Sequence, residues 1–134
     1  MGLNIQIHAE VKINGQFHHY ATAYPKRNYQ IFKKIAQVDD ITLIHENMSS
    51  RGLPVETSFL TRWILHHEQE SFGVTYLNSA EIKILHNWID EKFGHYIDNY
   101  MPAFRGSFFD EFTQQSDNCA WEGVQDVQYV VAFY

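Results

Sequence analysis

Leu3-Asn4-Ile5-Gln6-Ile7-His8-Ala9-Glu10-Val11-Lys12-Ile13 alternates apolar and polar residues without a break, and Asn14-Gly15 follows it. The period of two predicts a half-buried strand. Asn-Gly between two strand-like runs predicts a β-hairpin, with Gln16 to Ala23 as the returning strand. Two registers are open. A two-residue Asn14-Gly15 loop pairs Val11 with His18 and Lys12 with Phe17. A three-residue loop, Ile13-Asn14-Gly15, pairs Val11 with Phe17, Ile7 with Ala21 and Ile5 with Ala23. A slip of one residue exchanges the buried face for the exposed one, and matching apolar with apolar favours the three-residue loop.

The other end of the chain complements this hairpin. Val127-Gln-Tyr-Val-Val-Ala-Phe-Tyr134 carries valines and aromatics on both faces, as an interior strand does. Laying it against the hairpin gives an antiparallel sheet. Between the two ends the period changes to that of helices. A helix is expected near 28–38, with Tyr29, Phe32, Ile35 and Ala36 as its apolar stripe. A second spans about 56–69, with Phe59, Leu60, Trp63, Ile64 and His67 on one side. Phe72-Gly73 breaks it. A third begins at Asn78, which has capping-box spacing to Glu81, and buries Ile82, Leu85, Ile89 and Phe93. Ile41 to Ile44 reads as a short strand or buried connection. The expected fold is α+β: one domain over 1–134, an antiparallel sheet from the N-terminal hairpin and C-terminal strand, with about three helices on one face.

Composition supports a folded chain. It has 134 residues, 45% apolar and 16% aromatic, including ten Phe, eight Tyr and three Trp. That is too rich in large side chains for disorder, and long enough to bury a core without disulfides or metal. Cys119 is the only cysteine, so no intrachain disulfide forms, which suits a reducing cytoplasm. No apolar run reaches the length of a membrane span. The alternating start has neither the basic opening nor the continuous apolar stretch of a signal peptide. Gln at position 6 breaks the myristoylation pattern. The net charge is −6, and the only basic clusters are Lys26-Arg27 and Lys33-Lys34, which argues against binding nucleic acid through charge.

Few residues suggest chemistry. His8 and Glu10 are two apart on the hairpin's polar side. In the favoured register Glu10 faces His18 and His8 faces Tyr20; in the other Glu10 faces His19. Two imidazoles and a carboxylate can bind a divalent metal or work as an acid–base pair. The plainer reading is a solvated sheet face with a cross-strand Glu–His pair. His66-His67-Glu68-Gln69-Glu70 lacks the HExxH spacing, and His67 beside Trp63 and Ile64 reads as partly buried. No Gly-rich phosphate loop, GxSxG elbow or CxxC pair occurs. Phe104, Phe108, Phe109, Phe112 and Trp121 lie in an irregular segment that either caps the core or offers aromatic anchors to a partner.

Certain blocks resemble a group of small bacteriophage and prophage proteins. They are Met1-Gly2-Leu3-Asn4-Ile5, Glu10-Val11-Lys12-Ile13-Asn14-Gly15, Arg27-Asn28-Tyr29-Gln30-Ile31-Phe32, Arg51-Gly52-Leu53-Pro54 and Thr75-Tyr76-Leu77-Asn78-Ser79-Ala80-Glu81. Their order carries the resemblance, over roughly the first two-thirds of the chain. That group often has an acidic residue at Asn4, a His near Gln6 and a His-rich stretch before the Tyr-Leu block. Here Ser71-Phe72-Gly73-Val74 supplies no ligand, so the resemblance implies that a metal or catalytic site of the group at that stretch is lost. The resemblance implies a non-enzymatic, cytoplasmic interaction protein that binds and inhibits a host protein, with no cofactor. Two other readings stand beside it. One is a small metal-dependent hydrolase or phosphoesterase using His8, Glu10 and His18; the other is an immunity or structural protein.

Overall fold

The computed structural model describes residues 4–37, 53–67, 73–94 and 123–134. Four strands form one antiparallel sheet: β1 (Ile5–Ile13), β2 (Gln16–Ala23), β3 (Gly73–Asn78) and β4 (Val124–Phe133). Their spatial order is β2-β1-β4-β3. Among the described residues three helices accompany them: α1 (Tyr29–Gln37), α2 (Phe59–His67) and α3 (Ser79–Phe93). The fold is therefore α+β, with the terminal strand beside the hairpin as expected.

The hairpin register differs from the favoured one. Val11 pairs with His18 and Lys12 with Phe17, so the loop is the two residues Asn14-Gly15. Both have positive φ, 52° and 78°, the backbone of a type I′ turn, whose twist matches that of the strands it joins. The register then shifts between Ala9 and Glu10. Glu10 pairs with His19, but Ala9 pairs with Ala21, which leaves Tyr20 as an extra residue on β2. This bulge restores the apolar pairing of Ala9 with Ala21 and Ile7 with Ala23. Apolar matching thus holds in the first half of β1 and turn chemistry in the second; one uniform register cannot satisfy both.

One sheet face carries the apolar core. Ile5, Ile7, Ala9 and Val11 of β1 and Val127, Tyr129, Val131 and Phe133 of β4 are buried there with Ile31, Phe32 and Ile35 of α1 and Ile82, Leu85 and Ile89 of α3. Asn28 starts α1, its side chain accepting from the backbone of Gln30 and Ile31. Tyr29 turns outward at 55% exposure, so the buried stripe runs through Ile31 in its place. Asn78 and Glu81 close a reciprocal capping box at the start of α3.

Two further expectations need correction. Gly73–Asn78 is a strand, although its glycine reads as a break; Val74-Thr75-Tyr76-Leu77 ahead of the cap is the signal that identifies it. The helices do not share one face. α1 and α3 cover the apolar side, whereas α2, through Thr61, and the segment leading into it, through Glu56 and Ser58, are hydrogen-bonded to Glu10 and Gln128 on the other. Ile41 to Ile44 lies outside the described residues.

Candidate functional site

The second sheet face buries polar side chains beside the apolar Val130 and Ala132 of β4. Gln6, His8 and Glu10 point there from β1, at 5%, 0% and 0% exposure, and Gln128 joins them from β4 at 6%. Burying a carboxylate is costly unless each oxygen finds donors. Glu10 finds three. Its Oε2 accepts from the Ser58 backbone N–H at 3.0 Å and the Thr61 hydroxyl at 2.6 Å. Its Oε1 accepts from Gln128 Nε2 at 2.7 Å. Gln128 Nε2 also donates to the Glu56 carbonyl at 2.8 Å, so both strand and carboxylate hold the approach to α2. Ser58 caps α2, its hydroxyl accepting from the Thr61 N–H. A negative charge at this helix start is favourable, because the first N–H groups lack helical partners.

A second cluster lies beside it. His8 Nε2 is 2.9 Å from Gln6 Oε1, and Gln6 Nε2 donates to the Tyr24 hydroxyl at 2.9 Å. His8 Nδ1 faces the Thr22 hydroxyl at 3.0 Å and His19 Nε2 at 3.3 Å, and that same His19 nitrogen is 2.8 Å from Thr22 Oγ1. The Tyr20 bulge creates this grouping. In a regular strand residues 19 and 22 point to opposite faces; the extra residue turns both toward His8.

The electrostatics follow from burial. Desolvation lowers the His8 pKa to about 4, with the neighbouring His19 adding to the effect and Glu10 opposing it. Burial also lowers that of His19, again against the pull of Glu10. At neutral pH both rings are therefore uncharged. Their centroids are 5.4 Å apart and tilted by 57°.

The structure brings His8 and Glu10 to one face and leaves His18 out. His18 pairs with Val11, whose side belongs to the apolar core, and it is exposed there. His19 stands where the metal reading needs His18. Tyr20, the residue expected to face His8, is the bulged one, and Thr22 pairs with His8. No three His, Cys, Asp or Glu side chains group into a metal site among the described residues. Sequence reasoning missed Gln6, Thr22, Ser58, Thr61 and Gln128. Ser58, preceding an apolar run, carries a recognisable helix-start signal; the others depend on pairings that no local pattern states. Phe104, Phe108, Phe109, Phe112 and Trp121 lie outside the described residues, as does Cys119.

The outward side of α2 is unusual. Phe59 is 80% exposed, Trp63 47% and Leu60 48%, while Thr61 on the inner side is fully buried. Phe59 and Trp63 are four apart and line one side of the helix. Val55 and Leu53, on the segment leading into it, are exposed too. His67 is exposed against the Trp63 ring, with centroids 4.6 Å apart, which corrects its expected burial. None of the described helices is long and apolar enough to cross a membrane. Among known proteins the chain matches no family, no curated protein and no solved structure.

Proposed function

We propose that this chain is a non-catalytic interaction protein that docks on another protein through the outer side of α2. The observation that carries this reading is an inversion. α2 turns its hydroxyls and its capped end toward the sheet and its aromatic residues toward solvent. A helix oriented by core formation alone does the reverse. A contiguous exposed apolar patch of this kind is characteristic of binding surfaces. Phe59 and Trp63 supply rigid aromatic area of the type that anchors interfaces. An open cleft of about 350 Å³ between the hairpin turn and the α2 approach continues the patch, lined by Gln16, Phe17, Val55, Thr57 and Phe59 among others.

The rim supports a partner with acidic edges. α2 carries Arg62, His66 and His67 and no acidic residue, although the chain as a whole is acidic. An apolar groove edged by carboxylates on the partner would receive it, in the helix-in-groove mode. The resemblance to phage and prophage proteins adds the biological setting. The partner is then a host protein in the bacterial cytoplasm, and docking lowers its activity.

Cross-linking in host lysate, followed by identification of a stoichiometric partner, tests this with Phe59→Asp and Trp63→Asp. Both variants should keep the wild-type unfolding midpoint, because the side chains they replace are solvent-facing, and both should lose the partner. Variants that bind as well as wild type, or that unfold, overturn the assignment of this surface.

A further inference from the structure

The part-buried cluster on the hairpin has spacings compatible with a metal site that uses a hydroxyl as one donor. His8 Nδ1, His19 Nε2 and Thr22 Oγ1 form a triangle with sides of 3.3, 3.0 and 2.8 Å. Two imidazole nitrogens on a tetrahedral zinc ion, each about 2.0–2.1 Å from it, stand roughly 3.3 Å apart. The tautomer of His8 is fixed from behind. Gln6 Oε1 can only accept, so His8 Nε2 carries the proton, and Gln6 is held in that orientation by donating to Tyr24. The neutral ring then turns the lone pair of Nδ1 into the triangle. A ring N–H bound to a carbonyl oxygen on the far side is what metal-ligating histidines ordinarily have.

We propose that His8 Nδ1, His19 Nε2 and the Thr22 hydroxyl bind a zinc-class divalent transition metal ion, with solvent as the fourth ligand. Imidazole nitrogens suit this class of metal and not calcium or magnesium. His19 is only partly buried, which leaves an approach for the ion and for water. Glu10 supplies compensating charge. It acts electrostatically on both rings, while its oxygens stay with Ser58, Thr61 and Gln128. The site differs from the His8, Glu10 and His18 set that the hairpin alone suggests. His19 and Thr22 belong to it because the Tyr20 bulge puts them on one face.

The test is calorimetric titration of metal-free full-length protein with zinc chloride, with cobalt chloride as a spectroscopic probe. The wild type should bind one equivalent saturably, and cobalt should show the intense visible bands of a four-coordinate ion. His19→Ala should weaken zinc by tenfold or more. Thr22→Val, which keeps the side-chain shape, should also weaken it, and Gln6→Leu should do so by about tenfold through loss of the far-side hydrogen bond. His18→Ala should bind as wild type does. Circular dichroism of each variant separates lost ligation from lost folding. No saturable binding by the wild type would mean that the triangle is hydrogen bonding only, and overturns the proposal. Binding that survives His19→Ala but fails in His66→Ala or His67→Ala moves the metal elsewhere and overturns it equally.

Discussion

Replacing Glu10 with Ala should remove most of the stability that joins α2 to the sheet. The carboxylate is fully buried and accepts three hydrogen bonds, at 3.0 Å from Ser58 N, 2.6 Å from Thr61 Oγ1 and 2.7 Å from Gln128 Nε2. Each buried donor left unpaired costs about 1–3 kcal/mol. Some of this is recovered, because Gln128 Nε2 keeps the Glu56 carbonyl, whereas the Thr61 hydroxyl already accepts from Ser58 Oγ and its own proton loses its acceptor. Removing the charge also removes its own desolvation cost. With the Ser58 N–H and the Thr61 hydroxyl proton left unpaired and no charge left behind, the net loss should be about 2–4 kcal/mol. That is a large share of the 5–15 kcal/mol typical of a domain. Glu10→Gln keeps the shape and one acceptor oxygen but turns the other end into a donor facing donors, so it should cost about 1–3 kcal/mol. Urea unfolding of both variants measures the totals. Native-state hydrogen exchange locates them, since the amides of Thr61 and Arg62 should lose protection before those of β1 and β4. A loss below about 1 kcal/mol in Glu10→Ala, or exchange in α2 that does not change, would refute the anchoring role.

Stability should also fall in acid because of His8. Its pKa drops from 6.5 unfolded to about 4 folded, so between these values the unfolded chain holds a proton that the folded one does not. Stability is full above 6.5 and declines as pH falls toward about 4, by about 3 kcal/mol for this ring alone. His19 shifts in the same direction and adds to the slope. Urea midpoints at pH 7, 5 and 4 check this, and His8→Gln should flatten the curve; an equal slope in that variant contradicts the assignment. Asn78→Ala removes one half of the α3 capping box and should lower stability by about 1 kcal/mol, read from thermal or urea unfolding. Gly15→Ala meets no atom within 4 Å but sits at φ +78°, so its cost of about 1 kcal/mol is backbone strain alone. An unchanged midpoint there would argue against the type I′ turn.

The sequence by itself determined the local elements. The unbroken alternation before Asn14-Gly15 sets β1 and the place of the turn but not its length, the two-sided apolar run sets β4 as interior, and Asn78 with Glu81 sets the start of α3. These signals lie within a few residues of one another, so chain geometry alone reads them. α2 was legible as a helix, but not which way it faces. Its apolar residues suggest a core stripe, yet a buried carboxylate 48 residues earlier in the chain takes its capped end and turns the stripe outward. The candidate site was legible in part, through His8 and Glu10 at a spacing of two. His19 and Thr22 entered it only through the Tyr20 bulge, which arises because the Asn-Gly turn and the Ala9–Ala21 pairing demand different registers. That conflict is settled by burial against β4 and the helices, and burial is a property of the assembled fold.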